Sequence, residues 1–418
     1  MTGPSTRPGP VVDDRTVAVV LSGAAARGAF QAGALAVLVP ALVSQGLRPS
    51  IWLGTSAGSI NAVLWGGRMH LDPTEAGREV VAIWRRMSDD DVYAPLLPVT
   101  VPRLGLQFAG GALLGRGPGT TSLLDTRPLR RTGEEVLRPD LLEANLASGA
   151  VDAVGVVATR MPAERDADLP GTASGRSVLF LDEHSESAYA GDAGRALDVV
   201  RGPIRPEHVI ASSAIPVAFP PVELRTPPGW YVDGGVRLNT PLHPAVGLGA
   251  GRVLVVSATS TTYGTPGAPG PAGGSPDVAD AAAQVLHATL ADRTTEDLRS
   301  LRRTNRLVEA ATASGRPELL TDTAGRPYRK VPVMAVSPPP GAMGRAADRV
   351  FRDRTRGLGR LTELDNWLLG RALRGAGDGV GRRELLSYLF FDEEYFSAGV
   401  ELGRAAALES LETGWELG

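Results

Sequence analysis

Gly54-Thr55-Ser56-Ala57-Gly58 sets a hydroxyl between two glycines at the junction of an apolar run and a helix-forming segment. Ser50-Ile51-Trp52-Leu53 reads as a short buried strand, and residues 56–65 read as a helix. A strand, a tight G-x-S-x-G turn and a helix make a nucleophile elbow. The turn lifts the serine hydroxyl clear of the sheet, and the helix N-terminus offers N–H groups and positive dipole to a developing oxyanion. The same five residues also fit an ordinary strand-to-helix turn with a serine cap, so the pentapeptide alone leaves both readings open.

A second stretch lies one strand–helix unit upstream. Thr16-Val17-Ala18-Val19-Val20-Leu21 is a β-branched apolar run; residues 22–28 follow as a small-residue loop, and residues 29–39 as a helix. A loop with free backbone N–H groups that opens a helix holds anions. It is not a phosphate loop of the P-loop type, because Gly28 is followed by Ala29 and Phe30 rather than Lys and Ser or Thr. It is a poor dinucleotide fingerprint as well. Ala25 stands where a glycine is needed, and no Asp or Glu occurs between Asp14 and Asp72. What remains is a loop that presents amides to an oxyanion, beside an elbow serine.

With a later Asp233-Gly234-Gly235, these motifs occur in an order that resembles the patatin-like phospholipases: Gly23 to Gly28, then Gly54 to Gly58, then the Asp-Gly-Gly turn. The segment Ala211-Ser212-Ser213-Ala214-Ile215-Pro216 with Phe219-Pro220-Pro221, and Asn239-Thr240-Pro241-Leu242 followed by Gly249-Ala250, also resemble family segments. So does the C-terminal stretch from Leu385 through Phe391-Asp392 to a helix ending near Gly403. The resemblance covers most of residues 16–405. It implies a three-layer α/β/α fold with a mainly parallel central sheet and C-terminal helical additions. It also implies a serine acyl hydrolase in which Ser56 and Asp233 form a dyad without histidine. Gly23, Ala24, Ala25 and Ala57 are then the oxyanion-hole donors, with Arg27, Gly28, Gly54, Gly58, Gly234 and Gly235 as motif support. Arg27 would order the loop, meet an anionic head group, or stand on the surface. The expected substrates are glycerophospholipids or lysophospholipids, with a neutral lipid or polyketide-like ester as the alternative.

One departure is visible. The family has a glycine run where this chain has Gly23-Ala24-Ala25, and an alanine at positive φ costs about 1–2 kcal/mol. A working hole is therefore expected to keep both alanines at φ < 0 with their N–H groups free. A non-catalytic lipid- or protein-binding scaffold is the competing class. A Ser–His–Asp esterase, completed by His243 or His287, is the competing mechanism. An unperturbed Asp233 near pKa ~3.9 would be a poor base for an alcohol, which asks for strong oxyanion stabilisation.

Composition fits a large soluble enzyme. Of 418 residues 43% are hydrophobic, enough for a sizeable core, and the net charge of −3 gives no whole-chain attraction to nucleic acid or anionic membrane. Zero cysteines exclude disulfides and thiolate chemistry, and the five histidines form no ligand pattern, so neither metal nor cofactor is expected. The partner is a lipid ester, with peripheral membrane contact left open and a cytoplasmic location expected. No run of 18 uncharged apolar residues predicts a membrane span. Alternation of strands near 17–21, 50–54, 151–158, 178–181, 230–232, 253–257 and 331–336 with helices predicts a sheet covered on both faces. The expected organisation is a flexible tail (1–14), a catalytic domain (15–340) and a helical extension packed on it (341–418). Residues 263–276 and 162–176 read as loops and residues 375–381 as a hinge. Apolar residues 93–115 read as a lid over the acyl site or a cover on the sheet. The arginine-rich residues 345–360 read as a head-group contact or a solvated helix face.

Overall fold

Nine strands form one sheet among the residues that the computed structural model describes, 12–92, 127–162, 175–216, 218–261, 293–316, 320–321, 327–356 and 380–417. In chain order they are β1 (Asp13–Leu21), β2 (Arg48–Thr55), β3 (Ala153–Arg160), β4 (Arg176–Glu183), β5 (Leu197–Arg201), β6 (Val222–Arg225), β7 (Pro228–Asp233), β8 (Ala250–Val256) and β9 (Val333–Val336). Across the sheet they run β5-β4-β3-β2-β1-β8-β9, with β7 joined to β3 and β6 to β7. The pairs β1–β2, β1–β8, β2–β3, β4–β5 and β8–β9 are parallel; β3–β4, β3–β7 and β6–β7 are antiparallel. The sheet is thus mainly parallel, as expected. The short strands β5 and β6 are not foreshadowed by the sequence, because they are half-exposed and carry charges within the run; β4 and β7 are expected as strands, and their antiparallel sense comes from the structure.

The helices are α1 (Gly28–Ser44), α2 (Ala57–Gly66), α3 (Pro73–Arg86), α4 (Arg127–Val136), α5 (Pro139–Ser148), α6 (Pro206–Ser212), α7 (Leu242–Gly247), α8 (Arg293–Ala313), α9 (Ala342–Arg356), α10 (Val380–Leu389) and α11 (Glu393–Thr413). Strand β1 shows why they form two layers. Its side chains alternate, so Val17, Val19 and Leu21 enter a core shared with α1, α2, α3 and α11. Ala18 and Val20 enter a second core shared with α7 and α8 on the opposite face. Both faces of β1 are therefore dry, which explains its unbroken apolar run.

Helix α1 and the turn before it are long and apolar enough by composition to cross a membrane, but 72% of the apolar window is buried inside the fold. It is the central helix of one layer, between the sheet, α3 and α11. Its contact with α11 is backbone on backbone. A Cβ built at Gly33 would stand 2.1 Å from the Val400 carbonyl oxygen, and one at Gly403 would stand 2.0 Å from that of Phe30. Helix α11 continues ten residues past the expected end at Gly403, to Thr413, and Tyr395, Phe396 and Val400 are fully buried along it. In α9, Arg352 pairs with Asp348 at 3.0 Å and Arg354 with Asp392 at 2.7 Å, so part of the arginine-rich stretch is engaged in intramolecular ion pairs. Residues 1–11, 93–115, 163–174, 263–276, 357–360 and 375–379, and His287, lie outside the described residues.

The close α1–α11 crossing yields a stability prediction. Gly403→Ala should lower the melting temperature through overpacking of about 1–3 kcal/mol or more, because the nearest atoms are rigid backbone. Leu408→Ala on the exposed side of the same helix should leave it nearly unchanged in a thermal melt.

Candidate active site

Strand β2 turns into α2 at a corner that only glycines can make. A Cβ at Gly54 would sit 2.2 Å from the Gly58 carbonyl oxygen, and one at Gly58 would sit 2.4 Å from that of Leu21. The first contact closes the turn; the second presses the elbow against the end of β1. Ser56 at the apex has φ 55° and ψ −130°, a conformation that costs a non-glycine residue on the order of 1–3 kcal/mol. Its neighbours hold it there. The Ser56 N–H donates to Ser212 Oγ (2.8 Å), which in turn donates to the Val157 carbonyl (2.5 Å). The Ser56 carbonyl accepts from both the N–H (2.8 Å) and the hydroxyl (2.6 Å) of Ser59.

Asp233 reaches this corner through strand pairing. On β3, Val157 pairs with Thr55 of β2 and the next residue, Ala158, pairs with Asp233 of β7. Strand β4 occupies the whole other edge of β3, so β7 takes over the edge that β2 leaves. Since β7 runs antiparallel, its C-terminal end meets the C-terminal end of β2 head to head. A Cβ at Gly234 would fall 2.2 Å from the Val157 carbonyl oxygen, so the Asp-Gly-Gly turn also needs its first glycine for close approach. The Asp233 N–H donates to the Ala214 carbonyl (2.8 Å), and the Gly235 N–H donates to Asp233 Oδ1 (2.7 Å).

The Asp233 carboxyl is 5% exposed. Burial pushes its pKa up to about 6, although hydrogen bonding from the Ser56 side chain and the Gly235 N–H draws it down. This corrects the unperturbed value assumed from sequence. Among the described residues, no imidazole acts on the carboxyl. His243 lies 3.4 Å from the Tyr189 hydroxyl and 3.7 Å from Asp192. His184 contacts the Leu146 carbonyl, and His208 caps α6 and stacks on Phe180.

The loop between β1 and α1 abuts the elbow, since a Cβ at Gly23 would come 3.5 Å from Ser56 Cβ. Its amides differ from expectation in two respects. The Gly23 N–H is occupied, donating to Asn239 Oδ1 (2.9 Å) and to the Asn239 carbonyl (3.3 Å), which removes it as an oxyanion donor. Ala25 has φ 47°, so the expectation of negative φ at both alanines fails there, while Ala24 has φ −142°. The turn over Ala25–Arg27 must reverse the chain directly into α1, and left-handed backbone at Ala25 achieves it. The N–H groups of Ala24, Ala25 and Ala57 have no acceptor among the described residues. The N-termini of α1 and α2 lie side by side, with a Cβ at Gly28 3.0 Å from Ala57 Cβ.

Arg27 is neither a surface residue nor open to a head group. It is 2% exposed and bound to α10. Four other residues matter here: Ser212 and Asn239, which lie in the family-like segments but have no role assigned from sequence, clamp the elbow and the loop, while Gln31 and Asn61, outside any motif, tie α1 to α2. Gln31 Nε2 donates to the Ser22 and Val256 carbonyls, and Asn61 Nδ2 donates to the Gly28 carbonyl and to Gln31 Oε1. Trp84 Nε1 donates to Asn61 Oδ1 at 2.7 Å. Polar residues inside otherwise apolar helices (Gln31, Asn61) were the available signal, because buried amides are retained where they have partners.

Comparison with known proteins gives a family. The model described as Patatin, patatin-like phospholipase, matches residues 19–246. The crystal structure of VipD from Legionella pneumophila aligns over 97% of this chain and 68% of its own, at 13% identity and a TM-score of 0.35, a level that carries no weight for fold or function. No curated protein sequence matches significantly.

Ala25→Gly tests the strained turn. Glycine adopts positive φ freely but loses more chain entropy, so the net gain is expected to be about 0.5–1 kcal/mol, read as a higher melting temperature. A lower one would show that the alanine methyl packs productively.

Proposed function

We propose, from the premise that this chain belongs to the patatin-like phospholipase family, that it cleaves carboxylic esters of phospholipids or lysophospholipids with Ser56 as nucleophile and Asp233 as base. The observation that carries the reading is the buried Asp233 carboxyl, hydrogen-bonded by the Ser56 side chain and, among the described residues, by no imidazole. Membership of the family supports lipid acyl hydrolysis in general; the dyad and the substrate are our own reading.

In the first step Ser56 Oγ attacks the ester carbonyl while its proton passes to Asp233. The electron pair displaced onto the carbonyl oxygen is held by the N–H groups of Ala24, Ala25 and Ala57, at the paired N-termini of α1 and α2. Collapse breaks the C–O bond to the alcohol, which takes the proton from Asp233. Water then attacks the acyl carbonyl and gives a proton to Asp233; the C–O bond to Ser56 breaks as Asp233 returns that proton to Ser56 Oγ, which releases the carboxylic acid and regenerates both groups. A carboxyl with a pKa of about 6 is a far better base for these transfers than an unperturbed one, yet it stays ionised at neutral pH. Burial supports catalysis in the same way as it raises the pKa, by keeping water from competing for the hydroxyl.

Ser56→Ala should reduce ester hydrolysis below about a hundredth of wild type, with little change in melting temperature, and abolish covalent labelling by a fluorophosphonate probe. Asp233→Asn should be nearly inactive, whereas His243→Ala and His287→Ala should each keep most activity. Collapse of either histidine variant would move the protein to a Ser–His–Asp mechanism, and labelling-resistant wild type would leave the scaffold reading.

The rate should depend on pH in one direction. Asp233 must be ionised, so kcat/KM should rise about tenfold per pH unit below 6 and level off above about 7. Stability should move oppositely. Because folding raises this pKa, the group's contribution is fully present below its unfolded value of 3.8 and is lost as pH rises through about 6. Asp233→Asn should therefore melt higher than wild type at pH 8, by up to about 3 kcal/mol, and lose that advantage near pH 4.

A further inference from the structure

We propose that helix α10, which lies outside the residues matched by the family model, is the positioning element of the oxyanion loop and acts on it through Arg27. The proposal rests on the hydrolase reading given above.

Arg27 belongs to the turn that carries Ala24 and Ala25, but its side chain is held almost entirely from 357 to 361 residues away. Its guanidinium pairs with the Glu384 carboxylate and donates to the Glu384 carbonyl (3.4 Å). It donates through Nε (3.0 Å) and a terminal nitrogen (2.5 Å) to Ser387 Oγ, and through the other nitrogen to the Tyr388 hydroxyl (3.1 Å). The Tyr388 ring lies 3.8 Å from the guanidinium carbon. The Ala258 carbonyl, at 3.5 Å, is an acceptor from the sheet side. A planar fork saturated in this way fixes direction as well as position. Helix α10 is itself anchored, because the Tyr388 hydroxyl meets Thr259 Oγ1 (3.0 Å) and the Tyr395 hydroxyl donates to the Ser387 carbonyl (2.9 Å).

The brace reaches the candidate donors through the backbone. The Arg27 N–H donates to the Ala24 carbonyl (3.0 Å), and the Gly28 N–H to the Ala25 carbonyl. In a trans peptide C=O and N–H point in opposite directions. Holding the Ala24 carbonyl toward Arg27 therefore aims the Ala25 N–H the other way, where no acceptor among the described residues meets it. Ala25 at φ 47° is strained, and such a conformation persists only where its surroundings over-determine it. Arg27 and α10 supply that constraint. Glu384, Ser387 and Tyr388 are thus positioning residues, remote from the reacting atoms.

The test uses the full chain with Glu384→Gln and, because that variant could fail to fold, Tyr388→Phe, which keeps the ring and the ion pair. Steady-state hydrolysis of a short-chain ester is read together with inhibition by a trifluoromethyl ketone, whose adduct with Ser56 carries an oxyanion. Amide hydrogen exchange over residues 22–30 is the third measurement. We expect kcat to fall about tenfold or more with KM within twofold, since small misplacements of a donor are costly. Ketone affinity should weaken by the same factor, and exchange over 22–30 should accelerate. Folded variants with unchanged exchange and ketone affinity overturn the proposal. So does a fall in kcat with full ketone affinity, which reports only lost folded protein. If wild type hydrolyses no ester, the hydrolase reading fails by itself; exchange over 22–30 then decides whether α10 holds the turn.

Discussion

One edge of β3 decides where the chemistry can occur. Strand β2 pairs with it as far as Thr55, and from Ala158 onward β7 pairs with the same edge in the opposite sense. Two chain segments nearly 180 residues apart therefore end against each other with no loop between them. The elbow serine leaves one strand end and the Asp-Gly-Gly turn leaves the other. Backbone hydrogen bonding in the sheet thus fixes the spacing of the hydroxyl and the carboxyl, which is a firmer support than any pair of surface loops could offer.

That meeting point is also where the fold is least comfortable. Ser56 and Ala25 both stand at positive φ, and the Asp233 carboxyl is buried with no cation among the described residues acting on it. Each of these features is unfavourable alone, and each is held by buried partners: Ser212 and Ser59 for the elbow, Asn239 and Arg27 for the loop, Gly235 for the carboxyl. Around them the packing is unusually intolerant. Glycines at 54, 58 and 234 let backbones touch, and the Gly33–Gly403 crossing brings α11 against α1. Strain in a site is retained only when the scaffold behind it is stiff. The sheet and the α1–α11 contact provide that stiffness.

The C-terminal helices belong to this arrangement. Tyr395 and Phe396 of α11 enter the same core as Phe30 of α1, and α10 grips Arg27. A segment that reads in sequence as an addition is, in three dimensions, part of the wall behind the loop between β1 and α1. Trp84 of α3 closes the other side, donating to Asn61 and lying edge-on to Phe396.

The sequence by itself determined the local pieces. Runs such as Val17 to Leu21 read as strands buried on both faces, and Gly54-Thr55-Ser56-Ala57-Gly58 reads as a tight strand-to-helix turn. Their alternation with helices is enough for a mainly parallel, two-sided sheet. These conclusions depend on side-chain periodicity and on glycine sterics, which act between near neighbours. Tertiary structure decided what each polar group meets. It gave the Gly23 N–H to Asn239, turned Ala25 to positive φ, buried Arg27 against α10, and raised the Asp233 pKa by closing off water. Asn239, Ser387 and Tyr388 lie more than 200 residues from their partners. No periodicity or spacing encodes such contacts, because they exist only once the sheet has set which chain ends share a rim.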